Sequence, residues 1–178
     1  VYDVTSGKKV EIQTGEPKEQ YLTQITWDPT GKFVYIGVLN RDQNHLKLNK
    51  YDVANGKLVA TLFEEKSTKW VEPQNPLTFL PNGKEFLYQS ERDGFNQLFL
   101  YNTNGKLVKK LGYEKVIVKD LLDFDAKGTS VSYMGITNNG LDRQLFSVDL
   151  KSGKTTQITN VSGSHAAMFN SDKTFYFD

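Results

Sequence analysis

The chain repeats itself, and the period of the repeat narrows its choice of fold more than any other feature. An apolar run carrying an aromatic residue, followed by a polar turn, occurs as TWDPTGKFVYI at Trp27, TFLPNGKEFLY at Phe79, DFDAKGTSVSY at Phe124 and MFNSDKTFYF at Phe169. These aromatic positions are 52, 45 and 45 residues apart. A second motif, a strand-like run closed by a polar turn, occurs as VYDVTSGK, KYDVANGK, LYNTNGK and SVDLKSGK, with Asp3, Asp52, Asn102 and Asp149 spaced by 49, 50 and 47. Two motifs that keep step over such a period point to stacked units that bury their faces against one another.

Each period reads as four short strands, because apolar runs of five to eight residues are broken by Gly, Asn, Asp and Pro. In the middle copy they are PLTFL, KEFLYQS, QLFLYN and LVKKLG. The turns LPNGK and NTNGK place Asn-Gly between strands, where glycine accepts the positive φ of a tight hairpin. No segment has sustained helical spacing, and 11 Phe and 9 Tyr suit pleated, half-buried surfaces. Four antiparallel strands per repeat describe the blades of a β-propeller; the competing all-β reading is a sandwich with accidental self-similarity. The expected fold is therefore all-β, a partial propeller forming part of one domain over residues 1–178. About three complete four-stranded antiparallel blades are expected at 21–63, 75–111 and 119–159. A partial blade is expected at each end, 1–13 and 166–178. Closed propellers use about four to eight blades, so the chain reads as a fragment, with the partial ends as candidates to pair into a composite blade.

Composition removes several function classes. The 22 basic and 21 acidic residues nearly cancel and are spread without blocks, which gives no pull toward nucleic acid or an anionic membrane. No run approaches the length of a membrane-spanning segment, and the first ten residues lack the layout of a signal peptide. There is no cysteine, hence no disulfide framework, thiolate metal site or cysteine nucleophile. At 178 residues and 38% hydrophobic, the chain is long enough to bury a core.

In a four-stranded blade the connections between second and third strands share one face with the blade-to-blade crossovers. Here that set is long and varied: 40–45, 64–76, 91–96, 112–119, 137–143 and 159–165. Variable loops on a regular scaffold are where binding concentrates. The largest, EEKSTKWVEPQNP, contains Trp70, which reads either as a contact residue or as a plug between blades. In NRDQ and SERDG, Asp42 and Asp93 are expected to bond turn amides while Arg41 and Arg92 bridge blades or meet solvent. The adjacent Glu64 and Glu65 read as a solvated strand end.

Catalytic chemistry is not visible. The two histidines are His45 and His165. Ser162, Ser164 and His165 in SGSH do not form the G-x-S-x-G elbow, and a surface loop is the simpler reading. Neither histidine has a metal-ligand partner at suitable sequence spacing, and no phosphate or dinucleotide motif is present. The expectation is no catalytic residue, no metal and no cofactor in this chain.

At LNRDQNHLKLNKYDVANGK, SERDGFNQLFLYNTNGKLVKKL and RQLFSVDLKSGKTTQIT the sequence resembles the propeller domain of bacterial dipeptidyl peptidase IV-type serine peptidases, within the prolyl oligopeptidase superfamily. The motifs fall in family order and the resemblance covers nearly the whole chain. It implies an eight-bladed N-terminal propeller followed by an α/β-hydrolase domain in the same parent chain. It also implies a peptide substrate that loses an Xaa-Pro dipeptide from a free N-terminus, a periplasmic or cell-surface parent, and a homodimer among its assemblies. The catalytic triad would lie beyond Asp178 and the amine-binding glutamate pair before Val1. The WVEPQNP crossover is similar to the one facing the family's active-site cavity. It has Glu72, Pro73 and Gln74 where some members carry an arginine, which leaves Trp70 and Glu72 as the cavity-facing candidates. The resulting expectation is a non-catalytic segment that gates and orients short peptides for the hydrolase. The reading from a different class is a stand-alone propeller that binds a protein partner.

Overall fold

The apolar runs become strands because the residues between them supply closed turns. In the computed structural model, which describes residues 1–178, β1 (Gln20–Trp27), β2 (Phe33–Asn40), β3 (His45–Asp52) and β4 (Leu58–Lys66) form one sheet in that order. A second sheet follows with β5 (Thr78–Phe79), β6 (Glu85–Ser90), β7 (Gln97–Asn102) and β8 (Leu107–Leu111). The third is β9 (Ile117–Phe124), β10 (Ser130–Thr137), β11 (Asp142–Asp149) and β12 (Thr155–Gln157), and a short fourth pairs β13 (Met168–Phe169) with β14 (Tyr176–Phe177). Every named strand pair is antiparallel. There is no α-helix, only a 3-10 turn at Asn138–Gly140. The protein is thus an all-β partial propeller: up-and-down sheets side by side, with the sequence repeat as the blade.

The recurrent Asp and Asn residues close the turns. Asp52 Oδ1 accepts the Ala54 amide at 2.7 Å, Asn102 Oδ1 those of Asn104 and Lys106 at 3.0 Å, and Asp149 Oδ1 that of Ser152 at 2.6 Å. Asp28, Asp125 and Asn170 do the same after the first strand of three repeats, accepting from Phe33, Ser130 and Phe175. Short polar side chains that mimic a backbone turn explain why these positions keep the period.

The strand alternation sorts residues between blades. In the second sheet Phe86, Tyr88, Phe99 and Tyr101 join Tyr35, Leu48 and Leu77 in one buried cluster facing the first blade. Leu87, Leu98 and Leu100, between them in sequence, join Val131, Tyr133, Phe146 and Val148 on the side of the third blade. Successive side chains of a strand point to opposite faces, so QLFLY sends its aromatics one way and its leucines the other. The glycines of the later strand-three turns, Gly105 and Gly153, also meet the preceding blade. Gly105, at φ +84°, rests on Leu62 of β4 so closely that a Cβ would come 2.8 Å from the Leu62 Cα and closer still to its carbonyl oxygen.

The partial ends do not form a composite blade. Residues 1–10 fold back on themselves through the Tyr2–Lys9 bridge, with the Val10 amide on the Val1 carbonyl at 2.9 Å. Their extension bonds the first blade, Gln13 N to Gly56 O at 2.9 Å. At the other end β13 pairs with β14, and Lys173 Nζ reaches Asp123 of the third blade at 2.5 Å. Each end packs on the blade nearest in sequence, which leaves no edge shared between them.

Candidate functional site

The crossover from β4 to β5 is held at one buried point. Val71 sits against Leu39, Leu46 and Tyr21 of the first blade, and its amide donates to the Gln43 carbonyl at 2.7 Å. With Val71 turned inward, its neighbours Trp70 and Glu72 turn outward, Trp70 at 63% exposure. Trp70 therefore does not plug the gap between blades. The loop's far side is tied to the second blade by Gln74 Nε2, which donates to Glu91 Oε1 at 3.4 Å.

Beneath this loop lies a cavity of about 320 Å³ between the first and second blades, bordered by Glu65, Trp70, Glu72, Glu91 and Arg92. Its floor is an ion pair. Arg92, from the β6–β7 connection, donates Nη2 to Glu65 Oε1 of β4, Nη1 to the Tyr101 hydroxyl at 2.6 Å and Nε to Ser90 Oγ at 3.2 Å. The guanidinium carbon lies 4.4 Å from the Phe99 ring centroid and within 5.7 Å of those of Phe63, Tyr88 and Tyr101. A planar cation with a fork of donors fits such a box of rings and oxygens, whereas a compact lysine ammonium cannot lie flat among the rings and reach all three oxygens together. Burial pushes the Tyr88 and Tyr101 hydroxyls above the usual tyrosine range; Glu65 adds to the rise at both, and Arg92 opposes it. Both phenols stay protonated hydrogen-bonding groups.

Several sequence expectations meet this geometry. Arg92 does bridge blades. Arg41 meets solvent, the other alternative, and donates to the Tyr21 hydroxyl within its own blade. Asp93 does not cap its turn; its carboxylate pairs with Lys110 Nζ at 2.5 Å on β8. Of the Glu64–Glu65 pair only Glu64 is at a solvated strand end. Glu65 is only 9% exposed, because its register partner on β3 is the fully buried Leu46 and paired residues share a face. Glu64 faces His45 Nε2 at 2.7 Å and Lys66 Nζ at 3.3 Å, and these hydrogen bonds hold its carboxyl below the usual range, His45 first. His45 thus has a carboxylate through space that its sequence spacing did not show. So has His165, whose Nδ1 lies 2.5 Å from Asp178 Oδ2. No group of three His, Cys, Asp or Glu side chains is placed to hold a metal.

The fold and the site define a class: a run of propeller blades whose loop face carries a cleft floored by an arginine in an aromatic box. The family model described as the dipeptidyl peptidase IV (DPP IV) N-terminal region matches residues 1–178, and the chain belongs to that family. Among solved structures it is similar to a "putative dipeptidyl aminopeptidase IV" from Bacteroides ovatus, with TM-score 0.90 and 32% identity over 98% of this chain and 28% of that one. Porphyromonas gingivalis dipeptidyl peptidase 4 shares the fold at TM-score 0.82 and 22% identity, over 98% of this chain and 25% of that one. A "Probable dipeptidyl-aminopeptidase B" of Pyrenophora teres f. teres is 26% identical over 92% of this chain. The chain spans 20% of that curated relative's length.

Proposed function

We propose that this chain is the non-catalytic propeller segment of a DPP IV-like serine exopeptidase, where it gates and orients short peptides for an α/β-hydrolase domain of the same parent chain. The observation that carries the reading is the match of the whole chain to the DPP IV N-terminal family. The mechanism is exclusion plus orientation: rigid blades present loops toward the hydrolase and leave narrow openings, so an extended peptide enters and a folded protein does not. Trp70 and Glu72, outward on a crossover anchored at Val71, are the side chains offered to the peptide. The parent works in the periplasm or at the cell surface, and a homodimer is its proposed assembly.

The test uses the full reading frame that contains this chain. An Xaa-Pro anilide with a free amino end is expected to be cleaved, and its N-acetylated form and a folded protein are not. Trp70→Ala is expected to raise KM about fivefold with kcat nearly unchanged, the signature of lost uniform binding worth about 1 kcal/mol. Cleavage of the folded protein as readily as of the short substrate removes the gating role. A reading frame without a hydrolase leaves a propeller that binds a protein partner.

A further inference from the structure

The cleft between the first and second blades has more acceptors to spare than donors. Glu65 spends Oε1 on Arg92, and its Oε2 has no partner although only 9% of the side chain is exposed. Gln74 Nε2 takes the main-chain carbonyl of Glu72 at 3.3 Å, which leaves the Glu72 carboxylate unpaired. Glu91 accepts at Oε1 alone, from Gln74 at 3.4 Å. The cations are mostly spent: Arg92 donates from all three nitrogens to Glu65, Tyr101 and Ser90, and Lys66 turns its ammonium onto Glu64 at 3.3 Å. What remains is Glu72 and Glu91 against Lys69, over a floor whose ion pair is neutral as a whole. Trp70 borders the same space with most of its indole in water, on a crossover that Val71 pins to the first blade.

We propose that this cleft is a subsite for a basic side chain of the peptide, a guanidinium before an ammonium, with Trp70 against the cation and Glu72, Glu91 and the spare Glu65 oxygen as its acceptors. The inference rests on the peptide-orienting role proposed above and names the chemistry that this crossover selects. A guanidinium carries five donors in one plane and no acceptor, which is the complement of a space with unpaired carboxylate oxygens and one lysine. Its cation is also drawn to the electron-rich face of an indole. An acidic side chain would meet like charge at the rim, which costs binding. An apolar one would cover Trp70 but cut the Glu65 oxygen off from water without giving it a donor. A cavity of about 320 Å³ lies at the low end for small-molecule sites, a size suited to one long side chain. Its acceptors come from β4, the crossover and the β6–β7 connection, so the subsite exists only where the two blades are assembled.

Two measurements on the full reading frame test this. In the first, tryptophan fluorescence is followed while acetyl-Ala-Arg-Ala amide is added, and then its citrulline counterpart, which keeps the shape and removes the charge. The arginine peptide is expected to bind about tenfold more tightly, with a signal that Trp70→Phe abolishes and high salt weakens. Glu72→Gln combined with Glu91→Gln is expected to bring the two peptides together. In the second, free-ended Xaa-Pro peptides carrying arginine or citrulline at each other position in turn are compared as substrates. One position is expected to favour arginine about tenfold in kcat/KM, and the double variant to bring that ratio toward one. Equal binding of the arginine and citrulline peptides, or a preference unchanged in the double variant, overturns the subsite. Cleavage without charge selectivity overturns it while sparing the exopeptidase reading. Charge-selective binding with no cleavage of any free-ended peptide does the reverse.

Discussion

The two seams of the blade array are built from one repeat yet hold together differently. Between the first and second blades, rings pack on rings: Phe86 stacks on Tyr101 at 5.8 Å, Phe63 on Tyr101 at 4.4 Å, and Tyr35 meets Phe79 edge-on at 5.2 Å. The crossover there is long, and the Arg92–Glu65 pair spans the seam at its loop-face end. Between the second and third blades the packing is mostly Leu and Val, with one stacked pair, Tyr133 on Phe146 at 5.3 Å. The crossover is short and clamped by side-chain amides: Gln97 Nε2 donates to Val116 O and Asn96 Nδ2 to Val118 O, each at 2.8 Å. The first seam thus relies on ring contacts and on a charged tie that floors its cleft. The second relies on aliphatic packing and on neutral ties from side-chain amides to the crossover backbone.

The sharpest way to break this contrast is to remove a ring from the first seam. Phe86 is fully buried and touches three rings, Tyr35, Phe79 and Tyr101. Phe86→Ala is expected to lower stability by about 4 kcal/mol, read as a fall in denaturant midpoint of the full reading frame. Arg92→Ala comes next, at about 3 kcal/mol, since it strands a buried carboxylate. The double change Arg92→Met with Glu65→Leu is expected to restore most of that loss, because an apolar pair leaves no unpaired charge. Arg92→Lys is not expected to restore it, as an ammonium cannot span Glu65, Ser90 and Tyr101 together. If the double variant is as weak as Arg92→Ala, the seam depends on the ion pair itself.

The blade count and turn positions were legible because they rest on local chemistry. Asp52, Asn102 and Asp149 recur at the same step because each closes the same turn, and a turn is written within a few residues. The cleft was half legible. Trp70 and Glu72 could be placed on a long crossover, but that both face outward follows from Val71 packing on Leu39 and Leu46, a tertiary fact. Glu65 could not be found at all. A pair of glutamates at a strand end reads as solvated, and only the register opposite Leu46 turns one of them inward. Likewise Arg92 in SERDG has the look of a turn residue until Tyr88, Phe99 and Tyr101 are brought around it. The spacing of His165 and Asp178 carried no signal, because a hairpin between them sets their distance.

The second seam is expected to yield smaller effects. Gln97 is almost fully buried, and Gln97→Ala leaves the Val116 carbonyl without its side-chain donor at a cost of about 2 kcal/mol. The finest test compares two glycines at equivalent turns. Gly105 and Gly153 have nearly the same φ, +84° and +79°, so an alanine pays the same left-handed cost at either, about 1 kcal/mol. Their neighbours differ. At Gly105 the new methyl runs into the Leu62 backbone, which cannot move without the strand, whereas at Gly153 it meets the flexible Lys109 side chain at 3.3 Å. Gly105→Ala is therefore expected to cost about 1 kcal/mol more than Gly153→Ala, from contact strain added to the shared backbone term. Equal losses in the two variants would mean that the first seam gives way at its outer edge as readily as the second, and that its rigidity resides in the rings and the Arg92 tie alone.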